Sequence, residues 1–231
     1  MRSILTALLI LAAASGAGPY YTLHPRLLCL ENSHNFAGGS VFDAEEWNAL
    51  LKAGRDAGLL VHLDGARVWN AAVALGVPVS ELTRGADTVQ VCLSKGLGAP
   101  VGSMLVSDTA RIGEARRIRK MLGGGVRQGG VLAAAGLVAL DNIDSLAGDH
   151  ANARLLADGL RERGWTVEPP ETNIVLARSG VSVADLAELG TLEKELAALV
   201  SRQNVYAGKF RAPDATYLLN RGDPEQQGER V

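Results

Sequence analysis

The amino-acid sequence predicts an α/β fold: a mostly parallel sheet flanked by helices, with a smaller, partial α+β unit at its C-terminal side. Three observations point there. Short apolar runs alternate with amphipathic stretches from Arg26 to Lys120, the pattern of strands joined by crossover helices. Aromatic residues make up only 4% of the chain while glycines number 27, nearer to the Ala/Leu/Val/Gly texture of α/β enzymes than to an aromatic-rich β-sandwich. The 231 residues, 47% of them hydrophobic, suffice for one large core with a small appendage.

The elements follow in order. Met1-Arg2-Ser3 precedes an apolar run from Ile4 to Ala14 and the small residues Ser15 to Gly18. That layout fits a secretory leader over residues 1–18, although the run is too short to span a bilayer. A buried helix of the domain and a remnant segment are the competing readings. Arg26–Glu31 reads as a strand. Asp43–Gly54 reads as a helix with Asp43 as N-cap, Glu46 closing a capping box, and Trp47, Leu50 and Leu51 on one face. Leu59–Asp64 is a second strand, and Arg67–Leu75 a helix stopped by Gly76 and Pro78. Thr88–Ser94 and Val101–Ser107 read as two more strands of the buried type, followed by a basic helix over Asp108–Lys120. Parallel pairing with right-handed crossovers then predicts a sheet covered on both faces.

Beyond Gly123-Gly124-Gly125, the Ala/Leu-rich segment Gly130–Leu140 predicts a buried helix, and Ala151–Arg163 another, ended by Gly164. Trp165–Val167 and Asn173–Ala177 read as short strands of the smaller unit, with a helix over Val183–Val200 behind them. Periodicity fades after Ser201, and the polar stretch Arg221–Val231 predicts a disordered tail. The expected organisation is a leader or remnant over residues 1–25, a large domain over 26–148, a small partial domain over 149–200 and a divergent tail over 201–231.

Charge narrows the function. With 23 Lys+Arg against 25 Asp+Glu, no positive field is available to hold phosphate backbones or anionic lipid, so neither nucleic acid nor membrane is expected as a partner. Cys29 and Cys92 lie in apolar runs and read as small buried hydrophobes, consistent with a reducing, cytoplasmic setting. The four histidines, His24, His34, His62 and His150, are scattered, with no zinc spacing and no metal site expected. Gly96-Leu97-Gly98 is followed by Val101 where a dinucleotide fingerprint would need its third glycine.

In a parallel α/β sheet, chemistry collects outside the carboxyl ends of the strands. The stretches just past the apolar runs are Glu31–Asn35, Asp64–Arg67 and Ser94–Gly98. They bring a carboxylate, an arginine and a lysine to one edge. A lysine there, partly desolvated, can have its pKa lowered and become a nucleophile toward carbonyl compounds. The plainer readings are a solvated Lys95 in a turn and Asp64 as a helix N-cap.

Four blocks then carry a resemblance: LLCLENSHNFAGGSV (Leu27–Val41), HLDGARVWNAAVALGV (His62–Val77), VCLSKGLGAPVGSMLV (Val91–Val106) and RKMLGGGVRQGGVLAAAGLVAL (Arg119–Leu140). In this order and spacing they resemble the low-specificity L-threonine aldolases, pyridoxal 5'-phosphate enzymes of the aspartate-aminotransferase-like fold type I. The resemblance covers about residues 26 to 177. It implies that Lys95 forms a Schiff base with the cofactor aldehyde and that Asp64 sits beside the pyridine nitrogen, keeping it protonated. By the same resemblance Arg67 reaches the ring hydroxyl and the substrate carboxylate, Arg127 helps to hold the cofactor phosphate, and His34 lines the pocket near the substrate β-hydroxyl. The implied reaction is reversible cleavage of L-threonine or L-allo-threonine to glycine and acetaldehyde, a step of amino-acid catabolism, in a homo-oligomer (dimer or tetramer).

The chain also departs from that family. Nothing before Arg26 resembles its phosphate-cradling turn or its ring-stacking histidine, and Arg202, Arg211 and Arg221 lie where the family's carboxylate-binding arginine has no match. The expectation is a chain truncated at its N-terminus and divergent at its C-terminus. A catalytically inactive homologue retaining part of the fold is the alternative.

Overall fold

The computed structural model describes residues 10–12, 19, 21, 24–178 and 196, and the backbone of 217–219 and 227–230. The chain divides into two units, Met1–Ser179 and Gly180–Val231. Four strands form the main sheet of the first unit: β1 (Leu27–Glu31), β2 (Leu60–Gly65), β3 (Thr88–Cys92) and β4 (Ser103–Val106), side by side in that order. The first three are parallel, as the sequence predicts. The fourth is antiparallel to β3, Cys92 facing Ser103. A turn, not a crossover helix, joins these two strands, so the chain can only return antiparallel. Its four residues are exposed, contrary to the buried-type reading, because β4 is the last described strand on that side of the sheet.

Helix α1 (Ala44–Asp56) starts as its capping residues dictate: Asp43 Oδ1 accepts from the Glu46 amide at 2.8 Å and Glu46 Oε2 from the Asp43 amide at 3.4 Å. It buries Trp47, Leu50 and Leu51 against Val61 and Leu63 of β2. Helix α2 (Val68–Leu75) ends at Gly76, whose φ of 66° suits glycine. The short helix α3 (Val79–Thr83) goes unread in the sequence, since five residues carry too little periodicity; it brings Leu82 into the same core. Trp47 is fully buried, and its indole N–H donates to the Arg84 carbonyl at 3.0 Å. Trp47→Ala therefore leaves a large cavity and an orphaned carbonyl. The expected loss is about 3–5 kcal/mol of stability, to be read from the shift in urea midpoint.

This core occupies one face of the sheet. On the other, Leu27, Cys29, Leu60 and Leu105 are exposed, so among the described residues the expected cover on both faces is missing and Cys29 is not buried; Cys92 is. Helix α4 (Thr109–Met121), capped by Asp108, buries no residue. Helix α5 (Gly130–Leu140) also departs from its predicted burial: Val131 is 79% and Leu137 68% exposed, and only Gly136 and Ala139 are buried. A helix apolar on every side can bury only the stripe that faces a neighbour. Ile10, which is helical, packs against the first core.

A 3₁₀ turn over Ile143–Ser145 leads into α6 (Leu146–Glu162), which begins earlier than predicted and contains the expected boundary after residue 148. Among the described residues no single helix is long and apolar enough to cross a membrane. β5 (Thr166–Val167) and β6 (Ala177–Arg178) pair antiparallel, the second starting where the expected strand over Asn173–Ala177 ends. In the second unit, β7 (Tyr217–Leu219) pairs antiparallel with β8 (Gln227–Arg230), both inside the divergent tail expected over 201–231 and the second inside the stretch expected to be disordered. The helix expected over Val183–Val200 and the rest of that tail lie outside the described residues, apart from the helical Leu196.

His150 of α6, 3% exposed, meets Asn70 of α2 across 3.2 Å. Burial, aided by the Arg154 charge and opposed by Asp149, holds its imidazole below the ordinary pKa of 6.5. The unfolded chain therefore binds the proton first as pH falls. Stability from neutral His150 is complete above pH 6.5 and is lost as pH drops through the folded-state pKa. Between pH 7 and pH 5 the thermal midpoint should fall, and His150→Gln should flatten that acid limb.

Candidate functional site

Because β1, β2 and β3 are parallel, their carboxyl ends open on one edge. Glu31 is the register partner of Asp64, and Asp64 that of Gln90. His34, Arg67 and Lys95 follow just beyond the three strands, so the predicted acid, arginine and lysine do arrive on neighbouring strand ends.

Asp64 is half-buried and accepts the Ala66 amide on Oδ1 at 3.0 Å; among the described residues Oδ2 has no hydrogen bond. It is not the helix N-cap. That position belongs to Arg67, and no side chain caps α2. The next residue must be glycine, since a Cβ on Gly65 would lie 2.8 Å from the Gln90 carbonyl of the adjacent strand. Arg67 is half-buried, and its guanidinium has no described hydrogen bond or ion pair.

Lys95 sits in a turn whose main chain is pinned. The Leu93 amide donates to Gly102 at 2.7 Å, Ala99 to Leu93 at 3.0 Å and Gly98 to Lys95 at 2.9 Å, while Asn142 Nδ2 holds the Leu97 carbonyl at 3.0 Å. Leu97, 2% exposed, anchors the turn in a second core with Leu93, Ala99, Ala139 and Leu146. The lysine side chain itself is exposed, so the described residues do not supply the predicted desolvation.

His34 is tied into the loop after β1. Its Nδ1 accepts the Ala37 amide at 3.1 Å, which places the hydrogen of a neutral ring on Nε2, 3.7 Å from Glu31 Oε2. Glu31 Oε1 takes the Asn35 amide at 2.9 Å. Thr172 Oγ1 donates to the Gly39 carbonyl at 2.9 Å, and Glu171 Oε2 accepts from the Val41 amide at 3.1 Å. Gly39, at φ 77°, has no room for a Cβ, which would lie 2.4 Å from Thr172 Oγ1. Glu31, Glu171 and Thr172 thus hold the histidine loop, and the sequence assigns none of them that role. Glu31 was legible as a strand-end carboxylate; the 171–172 clamp is a long-range contact with no local signal.

Arg127 is exposed on the loop between α4 and α5, where no described hydrogen bond or ion pair joins it to the strand ends. No group of described side chains could hold a metal ion. A surface hollow between Ala44, Asn48, Glu81 and Arg84 contains none of the site residues.

The beta-eliminating lyase model matches residues 8–180. The chain belongs to the beta-eliminating lyase family. Within it, low-specificity L-threonine aldolase 1 of Arabidopsis thaliana is 49% identical over 160 residues, covering 67% of this chain and 45% of that relative. The chain thus spans about half the length of the curated relatives it matches. The threonine aldolase of Leishmania major superposes with a TM-score of 0.67 at 20% identity, covering 80% of this chain and 55% of its own. A serine palmitoyltransferase of S. paucimobilis, solved with PLP bound, gives 0.52 at 21%, over 76% and 46%. The fold of this beta-eliminating lyase member is accordingly the fold-type-I architecture, a mostly parallel sheet flanked by helices.

Proposed function

We propose that the chain serves a pyridoxal 5'-phosphate-dependent aldolase that cleaves L-threonine or L-allo-threonine to glycine and acetaldehyde. The observation that carries this reading is the arrival of Asp64, Arg67 and Lys95 on adjacent parallel strand ends, in a chain close in sequence to named threonine aldolases.

The donor set fits the cofactor: an exposed amine for its aldehyde, a carboxylate with a free oxygen for its ring nitrogen, and an unengaged guanidinium for its oxygens. When bound, pyridoxal phosphate supplies an electron sink that accepts the pair released as the Cα–Cβ bond breaks. Lys95 holds it through Nζ, from a turn rigid enough to aim the amine. Asp64 keeps a proton on the ring nitrogen through Oδ2, while Oδ1 stays engaged with the chain. Arg67 offers a planar fork to the substrate carboxylate. Arg127 is assigned to the cofactor phosphate on sequence resemblance alone. His34, with Nε2 carrying the hydrogen of its neutral ring, is oriented to donate to the substrate β-hydroxyl oxygen or to Glu31. Because Nδ1 takes the Ala37 amide, the neutral ring has no free lone pair, so His34 orients the hydroxyl and the proton is taken by the Glu31 carboxylate beside it.

Acetaldehyde release from L-allo-threonine by the cofactor-loaded chain tests the reading, against free pyridoxal phosphate and against Lys95→Ala. Release no faster than the free-cofactor background would favour the inactive-homologue alternative. Glu31→Gln gives a finer check. Without a proton acceptor beside Nε2, cleavage should fall about tenfold or more and its pH profile should change shape; an unaltered profile would remove Glu31 from the reaction.

A homo-oligomer is also proposed, supported by the exposed apolar residues of β4, α4 and α5, a patch of the kind that drives association. A light-scattering mass of one chain at micromolar concentration would overturn it. For location, a cytoplasmic setting is proposed, supported by the unpaired Cys29 and Cys92 and by Ile10 packing on the core. Cleavage of the cellular protein near Gly18 would overturn it.

A further inference from the structure

We infer that Asn70 and His150 are a positioning pair for Lys95, acting through the seat that α2 and α6 make for Gly96. The inference rests on the reading of Lys95 as the cofactor-holding amine.

The argument begins at Gly96. A Cβ there would fall 2.6 Å from Leu146 Cδ2, 3.8 Å from Asp149 Oδ2 and 3.9 Å from Asn70 Oδ1. The Gly96 main chain, itself exposed, thus has no room for a side chain against Leu146 in the first turn of α6, with Asn70 Oδ1 at the margin of that space. Leu146 is fully buried and Asn70 is 3% exposed, so neither can swing away into solvent. Asn70 is in turn tied to His150: its Nδ2 lies 3.2 Å from His150 Nε2, donating to the neutral ring. A buried amide and imidazole lose water on both sides and hold their place only while paired. They are therefore a specific latch between α2 and α6, where apolar contact alone would let the helices slide.

The latch reaches two functional residues at once. Asn70 stands one turn beyond Arg67, and its own amide donates to the Arg67 carbonyl at 3.0 Å. Through His150, Asn70 also holds the helix whose Leu146 lies closest to Gly96. The pair thereby sets the spacing between the main chains of Arg67 and Lys95, two groups that must meet one ligand from different strands. Neither residue touches that ligand in this scheme; their effect is geometric, and misplacement of an ångström is costly in such sites.

Hydrogen exchange on the chain without cofactor measures the seat directly. The reporters are the amides of Gly98 and Ala99, which donate to the Lys95 and Leu93 carbonyls. Asn70→Ala and His150→Leu should speed their exchange by about tenfold while the α1 amides stay as in the unmodified chain. His150→Gln, which restores an acceptor for Asn70 Nδ2, should bring both back to within about threefold. Asn70→Ser serves in place of Asn70→Ala if that variant does not fold. In parallel, borohydride fixing of pyridoxal phosphate on Lys95 should fall in Asn70→Ala and His150→Leu and recover in His150→Gln. Unchanged Gly98 and Ala99 exchange in both variants overturns the positioning role, and so does acceleration that spreads equally to α1, which marks a stability element only. If the unmodified chain takes no label at Lys95 while the exchange pattern is as expected, the seat stands and the cofactor reading fails.

Discussion

Borohydride reduction of the chain loaded with pyridoxal phosphate fixes the label on Lys95, and Lys95→Ala drops aldehyde release to the level of the free cofactor, a loss on the order of a hundredfold or more. The first half follows from how the described lysines are held. Lys52 Nζ is committed to Asp56 Oδ2 at 2.5 Å, one turn along α1. Lys120 lies at the end of α4 with its stem against Gly125, away from any strand end. Lys95 alone of the three follows a parallel strand, is exposed and has no ion pair. The main chain beneath it is fixed by four hydrogen bonds, two of them to or from the turn's own ends. A rigid base with a free amine gives a reagent both access and aim, whereas a helix-surface lysine gives access only. Peptide mapping of the reduced adduct decides the site. Label recovered mainly on Lys52 or Lys120 would reject Lys95 as the holding residue, and full turnover in Lys95→Ala would reject the reaction scheme.

The strands that position this edge were legible because each carries a strong local signal. LLCLE, LVHLDG and TVQVC are apolar runs of strand length, bounded by turn residues. The capping box at Asp43 and Glu46 located the start of α1 to the residue, while its end lies two residues past the expected Gly54. Asp64, Arg67 and Lys95 were legible for the same reason: strand ends are where side chains of parallel sheets emerge. What the local pattern could not hold was direction and neighbourhood. β4 reads as one more apolar strand, and only the short turn between Cys92 and Ser103 reveals that it runs antiparallel. Helix α5 reads as buried because it is apolar, but burial depends on what stands opposite, and there the described chain offers little. The Thr172–Gly39 and Asn70–His150 contacts join residues 133 and 80 positions apart. No periodicity carries such information.

Asp64→Asn separates charge from shape at this site, and it should leave the fold and cofactor binding nearly intact while lowering cleavage by roughly a hundredfold, the scale on which proton placement contributes. An asparagine Oδ1 can still accept the Ala66 amide that Asp64 takes at 3.0 Å, so the turn into α2 survives. Gly65 and its tight approach to the Gln90 carbonyl are untouched, and with them the spacing of β2 and β3. What goes is the negative charge at Oδ2, the oxygen that no described residue engages. A carboxylate there holds a proton on the ring nitrogen because the charged pair is favoured; a neutral amide offers no such preference, and the ring becomes a weaker electron acceptor. The loss should therefore appear in kcat, with the cofactor dissociation constant moving only a few-fold. It should also be larger than that of Arg67→Lys, which keeps the charge but loses the planar fork and so weakens substrate affinity more than rate. Turnover unchanged in a cofactor-loaded Asp64→Asn chain would reduce Asp64 to a turn residue. A collapse of binding together with the thermal midpoint would show that its carboxylate is needed for the fold at the β2 end rather than for the ring.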